Sequence, residues 1–97
     1  MTVHRLHHSE AFEIALDLLI DAGRMTLLRA QSLEDALADL KKNPLNHDGT
    51  LGGDALAPHW IKICRATGGV DTGLRVVYLL HEDGSVYLDD LSLVDPR

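Results

Sequence analysis

Residues 60–94 read WIKICRATGGVDTGLRVVYLLHEDGSVYLDDLSLV, and the rest of the chain is best understood from this stretch. It contains three short apolar runs, at residues 60–65, 74–80 and 85–88, which are rich in β-branched and aromatic side chains. That composition, with glycines between the runs, is typical of β-strands. The pair Asp83-Gly84 predicts a hairpin turn, because glycine adopts positive φ without steric cost. The stretch therefore predicts an antiparallel meander of three strands.

The middle run is apolar on both of its faces. One face carries Leu74, Val76, Tyr78 and Leu80, and the other carries Arg75, Val77, Leu79 and His81. Because successive side chains of a strand point to opposite faces, this run predicts a central strand that is covered on both sides.

The last run changes phase part-way along. Val86 and Leu88 share one parity, whereas Leu91 and Leu93 have the other. An extra residue at Asp89-Asp90 would return all four to one face, so the sequence predicts a β-bulge there. The segment 67–73, between the first two runs, predicts an unusually long connection.

Two helices are predicted before the meander. Ser9 is a favourable N-cap for a first helix that ends at Gly23. Ser32 has the features of a second N-cap, before an apolar stripe at Leu33, Ala36, Leu37 and Leu40. Asn43-Pro44 ends this second region, and the sequence leaves open whether residues 25–42 form one helix or two pieces.

A short alternating segment at residues 2–7 favours a fourth, edge strand. We therefore predict a single α+β domain over residues 1–97, with two N-terminal helices packed on one face of a three- to four-stranded antiparallel sheet. The element order would be β-α-α-β-β-β. Residues 45–59 form a loop that is long for a compact domain, which makes it a candidate for function.

Composition limits the classes of partner. The 97 residues carry a formal charge of −6, from nine Lys and Arg against fifteen Asp and Glu. Nucleic-acid binders usually present a basic face, so an RNA contact here would need a local cluster of cations. No apolar run approaches the length of a membrane span or a secretory signal, and one cysteine cannot form an internal disulfide. These features predict a cytoplasmic protein with no membrane partner, and Cys64 as a small buried hydrophobe.

The histidines do not have metal-ligand spacing. None of the six forms an i, i+4 pair on a predicted helix, and no cysteine accompanies them in a zinc pattern, so we predict no metal and no cofactor. The alternative without a functional role places the histidines on the surface, at the ends of helices and strands.

Arg75 has two interpretations. A charged residue in an apolar strand requires a partner, and a salt bridge to Asp71, Asp89 or Asp90 would supply one. Alternatively, Arg75 and Lys62 bind a phosphodiester on a concave sheet face, together with loop histidines. Metal-free RNA cleavage needs a base, a cation and an acid, which histidine, lysine and arginine can provide. The histidines considered for this role are His47, His59 and His81.

Two segments of the chain form a pattern known from a protein family: Trp60-Ile61-Lys62-Ile63-Cys64-Arg65, followed by Leu74-Arg75-Val76-Val77-Tyr78. They are similar to a lysine-bearing strand and a Tyr-Arg-x-x-Tyr motif, and on these residues the chain resembles the RelE/ParE superfamily of bacterial toxins. The stretch Leu40-Lys41-Lys42-Asn43-Pro44 is similar to a common helix ending of the family. His47-Asp48 with Leu51-Gly52 is similar to a loop of YafQ-type members.

The resemblance implies a toxin of a toxin–antitoxin module that inhibits translation by ribosome-dependent mRNA cleavage. Its implied partners are a cognate antitoxin, the ribosome and mRNA. Arg75 matches the family arginine at the scissile phosphate, Lys62 lies among the basic residues of the preceding strand, and Arg65 and Arg97 are the implied RNA contacts. Family nucleases carry further catalytic residues after the last strand, where this chain offers Arg97.

Two other functions stay open on the sequence. One is a family member without a nuclease site, either a ParE-type binder of a protein such as gyrase or a degenerate relative that acts by protein contact. The other is an unrelated small α+β domain. The acidic charge and the lack of further family catalytic residues after the last strand count against nuclease activity but not against the fold, and the mRNA-cleaving toxin stays the leading hypothesis.

Overall fold

A computed structural model describes residues 3–51 and 58–94 of the chain. The elements in order are β1 (Leu6–His8), α1 (Glu10–Asp21), α2 (Leu27–Lys42), β2 (Gly49–Thr50), β3 (Trp60–Ala66), β4 (Val70–Leu80) and β5 (Val86–Leu93). The prediction of an α+β fold with two helices on a sheet is confirmed. The predicted strand number is wrong, because the described residues form a mixed sheet of five strands in the order β1-β5-β4-β3-β2.

The three predicted strands pair as an antiparallel meander with β4 at its centre. The β4–β5 hairpin closes as predicted: the His81 N–H donates to the Ser85 carbonyl at 2.8 Å, and Gly84 has φ +86°. The long connection predicted at residues 67–73 is wrong. β4 already begins at Val70, because residues 70 and 71 still pair with Ala66 and Arg65.

The predicted bulge in β5 is confirmed. Val77 pairs with Asp90 and Tyr78 pairs with Leu88, so Asp89 is the extra residue. The bulge brings Leu88 and Leu91 to the same buried side of the sheet despite their different parity.

The two edge strands are where the sheet differs from the prediction. β1 is the expected edge strand, but it pairs parallel with β5, in the register Leu6–Val86, so the sheet is not wholly antiparallel. β2 lies inside the predicted loop 45–59 and pairs antiparallel with β3 through Gly49 and Thr50. A two-residue strand is too short to show an alternating pattern, which is why the sequence did not reveal it.

The N-terminal helix follows its sequence signals. The Ser9 hydroxyl accepts a hydrogen bond from the Phe12 N–H at 3.0 Å, and Gly23 ends the helix at φ +70°. The helix carries acidic residues in its first turn, where they interact favourably with the positive end of the helix dipole.

The second helix is one continuous element, capped by the Thr26 side chain. The N-cap predicted at Ser32 is wrong. Ser32 lies buried inside α2, where its hydroxyl donates to the Arg29 carbonyl at 2.7 Å and lies 2.9 Å from the Thr72 hydroxyl. These bonds satisfy a polar group that would otherwise favour a helix start.

The core lies between the helices and one face of the sheet, which we call the helix face. Its fully buried members include Phe12 from α1, Leu40 from α2, and Leu74, Val76 and Tyr78 from β4. The Tyr78 hydroxyl donates to the buried Pro44 carbonyl at 2.6 Å, which fixes the chain just after α2. In the part of the chain that the structure describes, neither helix has the length and apolar content needed to cross a membrane.

Cys64 is completely buried in this core. Burial raises the pKa of its thiol to about 12, so the group stays protonated and poorly nucleophilic. The interpretation of Cys64 as a small buried hydrophobe is confirmed.

Candidate functional site

The face of the sheet opposite the helices, which we call the open face, carries the alternate side chains of the meander. In β4 these are Arg75, Val77 and Leu79. β4 is the central strand, and it is buried on both faces as predicted: Val76 and Tyr78 are buried on the helix face, and Val77 on the open face is 6% exposed. Both helices pack on the helix face, and within residues 3–51 and 58–94 no helix lies over the open face.

Lys62 and Arg75 lie on opposite faces of the sheet. Lys62 pairs with Val76, whose side chain is in the core, whereas Arg75 pairs with Ile63 and with Ser92 on the open face. The predicted clamp of Arg75 and Lys62 on one concave face is therefore wrong. Strand alternation separates them, because they occupy positions of opposite parity in a shared register.

Lys62 is buried and already has its partners. Its ammonium bonds to the carboxylate of Asp39 on α2 and donates to the Asn46 carbonyl at 2.9 Å. The Asn46 side chain donates to the same Asp39 oxygen at 2.9 Å. This arrangement holds the segment after α2 against β3, and it neutralises the Lys62 ammonium with a carboxylate of the protein itself.

Arg75 forms a two-pronged ion pair with Asp71. Both guanidinium–carboxylate distances are 2.8 Å, and the Gly73 N–H donates to the same carboxylate at 2.8 Å. The Arg75 hydrogen bonds, with that of Gly73, hold the pKa of Asp71 below its usual range. The salt-bridge interpretation of Arg75 is confirmed, with Asp71 as the partner.

Arg65 is also paired, at the β3 edge of the sheet. Its guanidinium donates to Asp48 at 2.8 Å, and the second oxygen of Asp48 accepts from the Ile63 N–H at 2.7 Å. Burial of Asp48 opposes ionisation, but the bonds from Ile63 and Arg65 outweigh it, so the pKa of Asp48 is lowered. The carboxylate thereby replaces the backbone acceptor that the short β2 does not supply. Arg97 lies outside the described residues.

The Asp48 pair makes stability depend on pH in a predictable direction. A carboxyl whose folded pKa is depressed stabilises the fold above its unfolded pKa of about 3.9, and that contribution is lost as pH falls through the lower folded value. We expect Asp48→Asn to cost about 1 kcal/mol at neutral pH, with the difference from the parent shrinking below about pH 4.

Urea unfolding of both proteins between about pH 6 and pH 2 measures this difference. Asp17→Asn, on the exposed side of α1, is the matched control and should show no comparable trend. A difference between Asp48→Asn and the parent that is independent of pH would contradict the prediction.

The three predicted catalytic histidines have different neighbours. His47 stacks on Trp60 at 4.9 Å between ring centroids, and His81 contacts the Tyr87 ring at 4.2 Å. His59 Nε2 lies 3.5 Å from Asp89 Oδ2. Among the described residues, no hydrogen bond, ion pair or ring contact joins these histidines to one another or to Arg75. The residues that would supply base, cation and acid are therefore not brought together.

A groove on the open face was missed by the sequence analysis. It encloses about 350 Å³ and is lined by Asp48, Gly49, Leu51, Ile61, Ile63, Arg75, Val77, Ser92 and Val94. Its lining is mostly apolar, and Leu51 and Val94 are 55% and 49% exposed. The apolar alternate positions of β3 and β4 carry this signal, but alternation alone does not show whether a groove opens beside them.

Comparison with protein-family models, with curated proteins and with solved structures finds no match to this chain. Within residues 3–51 and 58–94, no group of three or more His, Cys, Asp or Glu side chains is arranged to hold a metal ion.

Proposed function

We propose that this protein is the toxin of a RelE/ParE-type toxin–antitoxin module and that it acts by binding a protein target. The observation that carries the proposal is the apolar groove on the open face, whose lining suits a protein surface rather than a polyanion. The order strand, helix, helix and C-terminal antiparallel meander, together with the Lys62 and Arg75 motif, supports a RelE/ParE-like fold. The implied partners are a cognate antitoxin and a protein target in the cytoplasm.

The state of the cations favours protein contact over RNA cleavage. Lys62 is buried against Asp39, Arg75 is held by Asp71, and Arg65 is held by Asp48. Cations that are already paired with carboxylates neutralise few phosphates, so few counterions would be released from the RNA. The net charge of −6 also repels a polyanion. The alternative function is ribosome-dependent mRNA cleavage.

Expression of the chain without a partner protein should arrest bacterial growth, and mapping of mRNA 5′ ends should find no new cleavage. Val94→Asp should relieve the arrest, because a carboxylate at the groove is costly to desolvate in a protein contact. Leu45→Asp alters an apolar residue outside the groove lining that is 63% exposed, against 49% for Val94, and it should leave the arrest intact. New mRNA cleavage would favour the nuclease, and a chain that never arrests growth would refute the toxin proposal.

Arg75→Ala separates the two roles of the arginine. The side chains of Arg75 and Asp71 are 20% and 47% exposed, so loss of the pair should cost no more than about 1 kcal/mol. We expect a nearly unchanged melting temperature and no new RNA phenotype, since Arg75 does not contact a phosphate in the proposed function. A stable Arg75→Ala protein in which mRNA cleavage by the parent is abolished would instead support a phosphate-binding role.

A further inference from the structure

Helix α1 is apolar on two sides. Its inward side packs on the core through Phe12, Ala15, Leu16 and Leu19. A second stripe, formed by Ala11, Ile14 and Leu18 at the spacing i, i+3 and i+7, is exposed. Ile14 and Leu18 are 52% and 63% exposed, although the outer side of a surface helix is normally polar. We call this stripe the α1 ridge.

A row of carboxylates runs beside the α1 ridge. It consists of Glu10, Glu13, Asp17 and Asp21, which follow the same helical spacing one position earlier in the chain. All four residues are exposed, and α1 contains no Lys or Arg. Within residues 3–51 and 58–94, no ion pair joins these carboxylates to a lysine or arginine. The row therefore presents unneutralised negative charge along the edge of an apolar surface.

We propose that the α1 ridge binds an amphipathic helix of a partner protein, with apolar side chains at i, i+3 or i+4 and i+7 and with Lys or Arg along one flank. Apolar side chains at that spacing pack against a matching stripe. The basic flank would meet the carboxylate row, which supplies orientation and accelerates association. The inference rests on the proposed function, because it specifies the chemistry of a partner protein that this function requires.

Charge distinguishes this occupant from two others. Two copies of the chain packed ridge to ridge would bring two acidic flanks and no basic flank to the contact, and like charges oppose association. An anionic membrane surface attracts helices with basic flanks, so the acidic flank of α1 repels it. Both alternatives keep the apolar contact but make the electrostatic term unfavourable. A basic helix makes both terms favourable.

The test measures binding of a labelled peptide of about 18 residues, or about five helical turns, to the full chain by fluorescence anisotropy. The probe has leucines at the spacing given above and lysines on one flank, and a second probe replaces those lysines with glutamates. We expect the lysine peptide to bind at least about tenfold more tightly than the glutamate peptide at low salt. Added salt should reduce this difference.

Variants locate the contact. Leu18→Gln should weaken binding of the lysine peptide by about tenfold or more, because it removes a central apolar contact. Glu13→Gln combined with Asp17→Asn should weaken it by about fivefold and reduce its salt dependence. Leu45→Gln, an equally exposed leucine outside α1, is the matched control and should bind as the parent does. Unfolding curves for each variant check that the fold is intact.

Equal binding of both peptides, or binding unaffected by Leu18→Gln, would overturn the inference. Sedimentation that reveals a dimer lost in Leu18→Gln would assign the ridge to a second copy, and binding to anionic phospholipid vesicles would assign it to a membrane. Either result overturns the basic-helix proposal. The peptide measurement does not depend on toxicity, so growth arrest without peptide binding refutes only this inference, and peptide binding without growth arrest refutes only the toxin function.

Discussion

Asp39→Ala will destabilise the fold by about 2–4 kcal/mol, whereas Lys62→Met will cost less than about 1 kcal/mol. The Lys62 side chain is only 9% exposed, so removal of the carboxylate leaves a buried ammonium with the Asn46 carbonyl as its one remaining partner in the described structure. Asp39 is 41% exposed and keeps its bond from Asn46, so the reverse change leaves a carboxylate that water can reach. The asymmetry follows from burial rather than from the pair itself.

The double variant Asp39→Ala with Lys62→Met completes a thermodynamic cycle. Methionine fills the volume of the lysine stem without a charge, so the double variant should recover at least half of the stability lost in Asp39→Ala. Urea unfolding of the parent and the three variants measures the coupling. Equal losses for the two single variants would show that the buried ammonium does not control the outcome. Such a result would also make Lys62 a candidate for a mobile, ligand-binding cation again.

Gly73→Ala will destabilise the protein by about 3 kcal/mol, of which about 1–2 kcal/mol is the cost of positive φ for any residue with a Cβ. Gly73 has φ +91° inside β4, where it accommodates the register shift against β3. A Cβ built there would lie 2.8 Å from the Val94 carbonyl oxygen and 3.2 Å from Leu93 Cδ1. The Val94 N–H also donates to the Gly73 carbonyl, so the backbone cannot move apart without losing that bond.

Gly69→Ala is the matched control for this prediction. Gly69 has φ +81° in the β3–β4 turn, but a Cβ there meets nothing within 4 Å. It should therefore carry only the conformational cost of about 1–2 kcal/mol. Denaturant unfolding of the two variants separates strain from steric contact, and equal losses would refute the close approach of residue 94. Because Val94 lines the open-face groove, Gly73→Ala should also weaken growth arrest more than its stability loss explains.

Local signals in the sequence determined the meander, its second hairpin and the β5 bulge. Alternation along 60–94, the Asp83-Gly84 pair and the parity change at Asp89-Asp90 each depend on neighbouring residues alone. The start of α1 at Ser9 and its end at Gly23 are local for the same reason. The salt bridge of Arg75 was also foreseeable, because a charged residue in an apolar strand requires a nearby partner.

Tertiary structure decided the features that depend on residues far apart in the chain. Ser32 continues α2 because its hydroxyl meets Thr72, forty residues away, so no helix begins there. Lys62 is not part of the predicted site, because its side chain points to the helix face and pairs there with Asp39 of α2. β1 could be recognised as a strand, but its parallel pairing with β5 could not be.

The open-face groove is the clearest case of this limit. Apolar residues at alternate positions predict that both faces of β4 are at least partly buried, but the pattern does not show which element packs on either face. Both helices pack on the side of Val76 and Tyr78, and so the side of Val77 is left without a helix within the described residues. Which face is covered depends on how the helices dock against the whole sheet, and no local pattern contains that information.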